Sequence, residues 1–102
     1  MKPTYLSRIQ QEDLFSDLCK LTTNILGVDN NIFEERSRFK KHTLIRKVVS
    51  VVALMVDNIH KDVIAKGVGR NRTSINYYQN MHKYDYRSYP EYRDLFKLIT
   101  KT

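Results

Sequence analysis

From Leu44 to Ile59 the chain is so apolar that whatever it forms must be buried on most sides: Leu44, Ile45, Val48, Val49, Val51, Val52, Ala53, Leu54, Met55, Val56 and Ile59 leave few polar positions between them. The valines favour a strand by propensity, but about sixteen residues without a turn signal exceed the ~3–10 of an ordinary strand. Arg46, Lys47, Ser50 and Asp57 also fall close to one helical face, so the segment reads as a central helix. Its most apolar part, Val48 to Val56, is interrupted by Ser50 and falls far short of the ~20 residues that cross a bilayer. Such a helix needs other elements to cover it, and a chain of 102 residues supplies one core and little more. With 41% hydrophobic and 28% charged residues, and few Gly or Pro, the composition excludes a disordered or fibrous chain.

The covering elements read as helices too. Leu14, Leu18, Leu21 and Ile25 recur at spacings of four, three and four, widened by Phe15 and Cys19, which predicts a first helix near residues 10–26. Gly27 and the turn formers Asp29-Asn30-Asn31 stop it. Cys19 reads as a small buried hydrophobe, and as the single cysteine it excludes an internal disulfide and a multi-cysteine metal site. Residues 32–42 mix apolar anchors with dense charge and read as an ordered basic loop. Beyond the central helix, Lys61 to Lys66 and Asn71 to His82 are separated by Gly67-Val68-Gly69-Arg70. A short helix, a glycine-containing turn and a helix led by polar and basic residues form the pattern of a helix-turn-helix, here over about 60–82. Asn71 would cap its second helix, Ile75, Tyr78 and Met81 would face inward, and Arg72, Thr73, Asn76 and Gln79 outward. Ser88 and Glu91 have capping-box spacing ahead of a closing helix at about 89–100, whose apolar face is Tyr92, Leu95, Phe96 and Ile99. With no strand pair or repeat, the expectation is an all-α fold, a single small helical domain spanning 1–102.

The charge is segregated. Residues 36–72 hold ten Lys and Arg against Asp57 and Asp62, while the rest of the chain is close to neutral within an overall +7. A concentrated excess of this kind is the footprint of a polyanion partner, because each cation placed on a phosphate releases condensed counterions. The plain alternative is solvated charge on one face.

Taken together, Ser37-Arg38-Phe39-Lys40, Leu44-Ile45-Arg46-Lys47-Val48-Val49 and Gly69-Arg70-Asn71-Arg72-Thr73-Ser74-Ile75 resemble the C-terminal DNA-binding domain of the bacterial replication initiator DnaA. The resemblance covers about residues 13–99 and implies the helical fold shared with the tryptophan repressor. It implies that Arg38 enters a minor groove, that Lys40 and Arg46 hold the DNA backbone, that Thr73 meets bases, and that Ser74 touches phosphate. Lys41 and Arg70 are expected on the backbone beside them. Asn71 stands where the family has Asp, and Arg72 where it has His. Asn pairs best with adenine N6/N7 and Arg with guanine O6/N7, so both are expected to read bases, and a different box from the initiator's. No Gly-x-x-x-x-Gly-Lys-Ser/Thr occurs, so an initiator ATPase is not expected.

The function expected is therefore sequence-specific binding of double-stranded DNA by a small regulator of transcription or replication, or by a phage accessory protein. A rival is a structural or virion-associated module whose basic face meets an acidic protein. Charge alone does not separate DNA from RNA. Monomeric helix-turn-helix proteins often hold DNA weakly, which leaves room for a homodimer or a protein partner. No secretory pattern follows Met1, so the expected location is cytoplasmic: nucleoid-associated in a bacterium, the host cytoplasm for a phage. Isolated His42, His60 and His82 do not have metal-ligand spacing, and no nucleophile, base and orienting group combine into an enzyme. No cofactor, membrane or small-molecule substrate is expected. Tyrosines at 77, 78, 84, 86, 89 and 92 would suit stacking on single strands, although core and helix packing with rim hydroxyls is the commoner use and the one expected.

Overall fold

The computed structural model describes residues 6–33 and 40–101, without side-chain detail at 30, 31 and 40. Among them the chain forms five α-helices: α1 (Arg8–Leu26), α2 (Lys40–Met55), α3 (Lys61–Gly67), α4 (Arg72–Ser88) and α5 (Pro90–Thr100), with a 3₁₀ turn at Asn30–Phe33. No strand occurs among the described residues.

Helix α1 starts two residues before the expected residue 10, because Ser7 closes a capping box: its Oγ accepts from the Gln10 N–H and Gln10 Oε1 accepts from the Ser7 N–H. Gly27, at φ 66°, ends it and returns its N–H to the Thr23 carbonyl. The buried stripe is rotated from the one expected. Phe15, Leu18, Cys19, Thr22 and Thr23 are buried, whereas Leu21 is exposed and Leu14 and Ile25 are half-buried. Thr22 and Thr23 tolerate burial because their hydroxyls donate to the Leu18 and Lys20 carbonyls at 2.8 and 3.0 Å. Burial pushes the Cys19 thiol up to about 12, consistent with an inert core side chain.

The central helix α2 lies four residues N-terminal of the apolar run at both ends. It begins in the charged residues assigned to a loop and stops at Met55, where Asn58 takes φ 56° and the Val56 and Asp57 N–H groups both donate to the Val52 carbonyl. Ile59 is still buried, since the turn carries it back into the core. Ile45, Val48, Val49, Val51, Val52 and Ala53 are almost fully enclosed, and the fully buried Ser50 donates to the Arg46 carbonyl at 2.7 Å.

Helix α4 runs six residues past the expected end at His82. Its inner side packs on α5 through an aromatic cluster in which the His82 ring lies 4.9 Å from Phe96 and His82 Nδ1 is 2.8 Å from the Tyr92 hydroxyl. Asp85, also inward, is 2.8 Å from Lys47 Nζ of α2. Ser88 is the last residue of α4 and makes no capping box. Tyr89 stands between the helices and Pro90 opens α5, its fixed φ suited to the first helical position.

Two consequences can be measured. At Gly67 a Cβ would come within 2.6 Å of Phe15 Cδ2, so α3 approaches α1 only because this residue has no side chain. Overpacking of about 1–3 kcal/mol outweighs the ~0.5–1 kcal/mol that Ala gains over Gly in a helix. Gly67→Ala is therefore expected to lower stability by about 1–2 kcal/mol in urea unfolding, and an unchanged midpoint would refute the close approach. The second concerns His82. Burial lowers its pKa below the ordinary 6.5, and the Asp85 charge offsets this in part. As pH falls through about 6.5 the unfolded chain takes up this proton before the folded one does, so stability declines with acidification down to the depressed folded value. A ring titration by NMR should place the His82 midpoint below 6.5, and His82→Gln should flatten that part of the Tm–pH curve.

Candidate nucleic-acid interface

Val68 is buried, Gly69 takes φ 65°, and the Arg70 N–H donates to the Ala65 carbonyl, so the chain reverses tightly between α3 and α4. Asn71 caps α4: its Oδ1 accepts from the Ser74 N–H at 3.0 Å and from the Ser74 hydroxyl at 3.3 Å. This cap changes two expected roles. A bidentate contact with adenine needs the Asn oxygen as acceptor, and that oxygen is committed, leaving only the amide N–H groups. Ser74 has likewise given its one donor to Asn71, so a phosphate contact would break the cap.

Arg46 requires a larger correction. It is 2% exposed, its Nη1 donates to the Ile32 carbonyl at 3.0 Å and its Nη2 lies 3.4 Å from Thr43 Oγ1. Burial and the nearby Arg70 charge lower its pKa. It fastens the 3₁₀ turn to α2 and does not reach the surface, because the apolar helix that carries it is enclosed on almost every side. Arg38 lies outside the described residues. Lys40 opens α2, and its side chain is not described; Lys41 beside it is exposed.

Arg72 and Thr73 are exposed at the head of α4, and Arg70 is half-buried just before it. Arg72 has only a loose ion pair, 4.0 Å from Asp62 Oδ1, worth little in water. Neither α2 nor α4 has an acidic residue in its first turn, and each starts with cations instead. Cations there oppose the helix dipole, and both ends become favourable once an anion arrives.

Because α4 continues to Ser88, its open face is about 25 Å long. Thr73, Asn80, Tyr84 and Arg87 fall within about 60° of one another around the helix, with Tyr77 beside them, and all five are exposed. Gln79 and Lys83 are exposed on its flank. The single carboxylate in the helix, Asp85, is turned inward onto Lys47. The solvent side thus carries Arg72, Lys83 and Arg87 with no counter-charge of its own. Lys83 and Arg87 were missed from sequence because the helix was ended at His82, and Asn80, inside that helix, was left off its expected outward face. The absence of any breaker before Pro90, with Tyr86 four residues after His82, was the available signal. Tyr77, Tyr84 and Tyr89 are each more than half exposed, so the expected use of the tyrosines as packing surface holds only for Tyr92 and, in part, Tyr78 and Tyr86.

No protein-family model, curated protein or solved structure matches the chain. The likeness to the DnaA domain therefore rests on the motif residues themselves. Among the described residues, no helix is long and apolar enough to cross a membrane.

Proposed function

We propose that this protein is a small helix-turn-helix regulator that binds double-stranded DNA sequence-specifically, with α3 and α4 as its two helices and the first turn of α4 in the major groove. The observation that carries the reading is the open face of α4, which offers cations and hydrogen-bonding side chains with no exposed carboxylate. Arg72 and Thr73, at the end of the helix that enters the groove, are the base readers. Asn71 acts mainly as the cap that orients them. Lys41, Arg70, Lys83 and Arg87 hold phosphates, and Arg46 supports the fold beneath.

The roles separate by mutation. Arg72→Ala should lose about 1–3 kcal/mol on the preferred site and relax the choice at one base pair. Lys41→Ala should weaken every sequence about equally and reduce the salt slope by ~1. Equal, sequence-independent losses in both variants would remove the direct-readout assignment.

A further inference from the structure

We infer that an open hollow beside the far end of α4 receives an unpaired nucleobase of the bound DNA, stacked on Tyr89. This rests on the DNA-binding reading above and extends it from duplex alone to a duplex next to a single strand. The hollow, about 480 Å³, is lined by Lys41, Leu44, Tyr89, Glu91 and Tyr92. Leu44 and Tyr92 make an apolar lining, Tyr89 supplies an exposed ring, and an exposed cation and an exposed carboxylate stand at the edge.

Continuity with the open face of α4 identifies the occupant. The Tyr84 ring, on that face, meets the Tyr89 ring edge-on at 6.0 Å and 75°. That contact leaves Tyr89 52% exposed. A strand following α4 from Thr73 therefore passes Tyr84 and Arg87 and arrives at Tyr89, with Lys41 on the other side. An aromatic ring beside cations is the usual way to hold a single strand, because every base has a face to stack and every nucleotide a phosphate. A second copy of this chain fits poorly, since it would bring Lys83 and Arg87 against the same cations. Glu91 can accept from an exocyclic amine, which favours cytosine over thymine.

The test uses the full chain and two probes: a short blunt duplex, and the same duplex carrying a single-stranded oligo-dC tail. The tail should tighten binding about tenfold, the effect of one stacked base. Tyr89→Ala should abolish that gain and Tyr89→Phe should keep it, with blunt-duplex affinity unchanged in both. Because Tyr89 joins two helices, the wild-type protein provides a second readout: iodocytosine in the tail should cross-link on irradiation to the peptide containing Tyr89. A gain below about twofold, a gain that survives Tyr89→Ala, or cross-links confined to other peptides would overturn the hollow while leaving duplex binding intact. Capture of oligo-dC through Tyr89 with no duplex bound at any salt would instead overturn the duplex reading and leave the hollow standing.

Discussion

Replacing Lys47 with Met is expected to destabilise the protein by about 3–5 kcal/mol at neutral pH, the usual consequence of leaving one member of a buried ion pair behind. The Asp85 side chain is 4% exposed and has Lys47 Nζ at 2.8 Å. Met fills nearly the same space as Lys, so the loss would come from the stranded carboxylate and not from a cavity. Asp85→Asn should be milder, because the Lys47 side chain is 21% exposed and can direct its ammonium toward water. The double variant Lys47→Met with Asp85→Leu should recover most of the stability, since an apolar pair of similar volume needs no desolvation of charge. Urea unfolding of the three variants measures this. A Lys47→Met protein within about 1 kcal/mol of wild type would show that Asp85 is not held as a charged, enclosed group.

The second large effect is on binding. Removing Arg72, Lys83 and Arg87 together by substitution with Ala should lower duplex affinity about a hundredfold near physiological salt and shrink the log–log salt slope by about two, because the Lys83 and Arg87 phosphate contacts each release ~0.9 of a counterion while Arg72 contributes through a base. The fold should survive, since all three side chains are exposed and the pairing of Asp85 is untouched. Arg72 stands at the positive end of α4, so its loss relieves an unfavourable dipole interaction; Arg87, near the other end, contributes only ~0.3–1 kcal/mol. An unchanged circular-dichroism spectrum with a hundredfold weaker complex would place the polyanion on this face. An affinity changed by less than about threefold would place it elsewhere.

Features set by neighbours three or four residues away were legible in the sequence. The Asn71 cap, the left-handed Gly27 and the inward Ile75 depend on local hydrogen bonds and helical period, and each stands where it was expected. What depends on distant partners was not legible. Thr22 and Thr23 are buried because their hydroxyls bond backward along α1, and nothing in an apolar count distinguishes them from solvent-facing threonines. The end of α2 was obscured because Val56 follows the helix and Ile59 re-enters the core after the Asn58 turn. Asp85 lay beyond the expected end of α4 at His82, and only Lys47, 38 positions earlier in the chain, makes it an inward residue.

The same distinction explains the site. Arg72 and Thr73 were read correctly as exposed, since one turn of helix decides where they point. Arg46 was expected on the DNA backbone through the resemblance to the DnaA domain and shares a helical face with Lys47, yet its guanidinium is drawn inward by the Ile32 carbonyl fourteen residues away. Asn71 was expected both to cap α4 and to read a base, and Ser74 to touch phosphate; their mutual hydrogen bonds keep the cap and oppose the other two roles. The surface proposed to meet DNA is consequently longer and less concentrated than the motif alone indicates, running from Arg72 to Arg87 along α4.

The most direct test is selection of the purified protein on a randomised duplex library, followed by titration of the recovered pool against salt. An enriched motif is expected, with a log–log slope of about −3 to −4 for the ~4 phosphate contacts of Lys41, Arg70, Lys83 and Arg87. A pool that stays random after several rounds, or no complex near physiological salt, would contradict sequence-specific duplex binding.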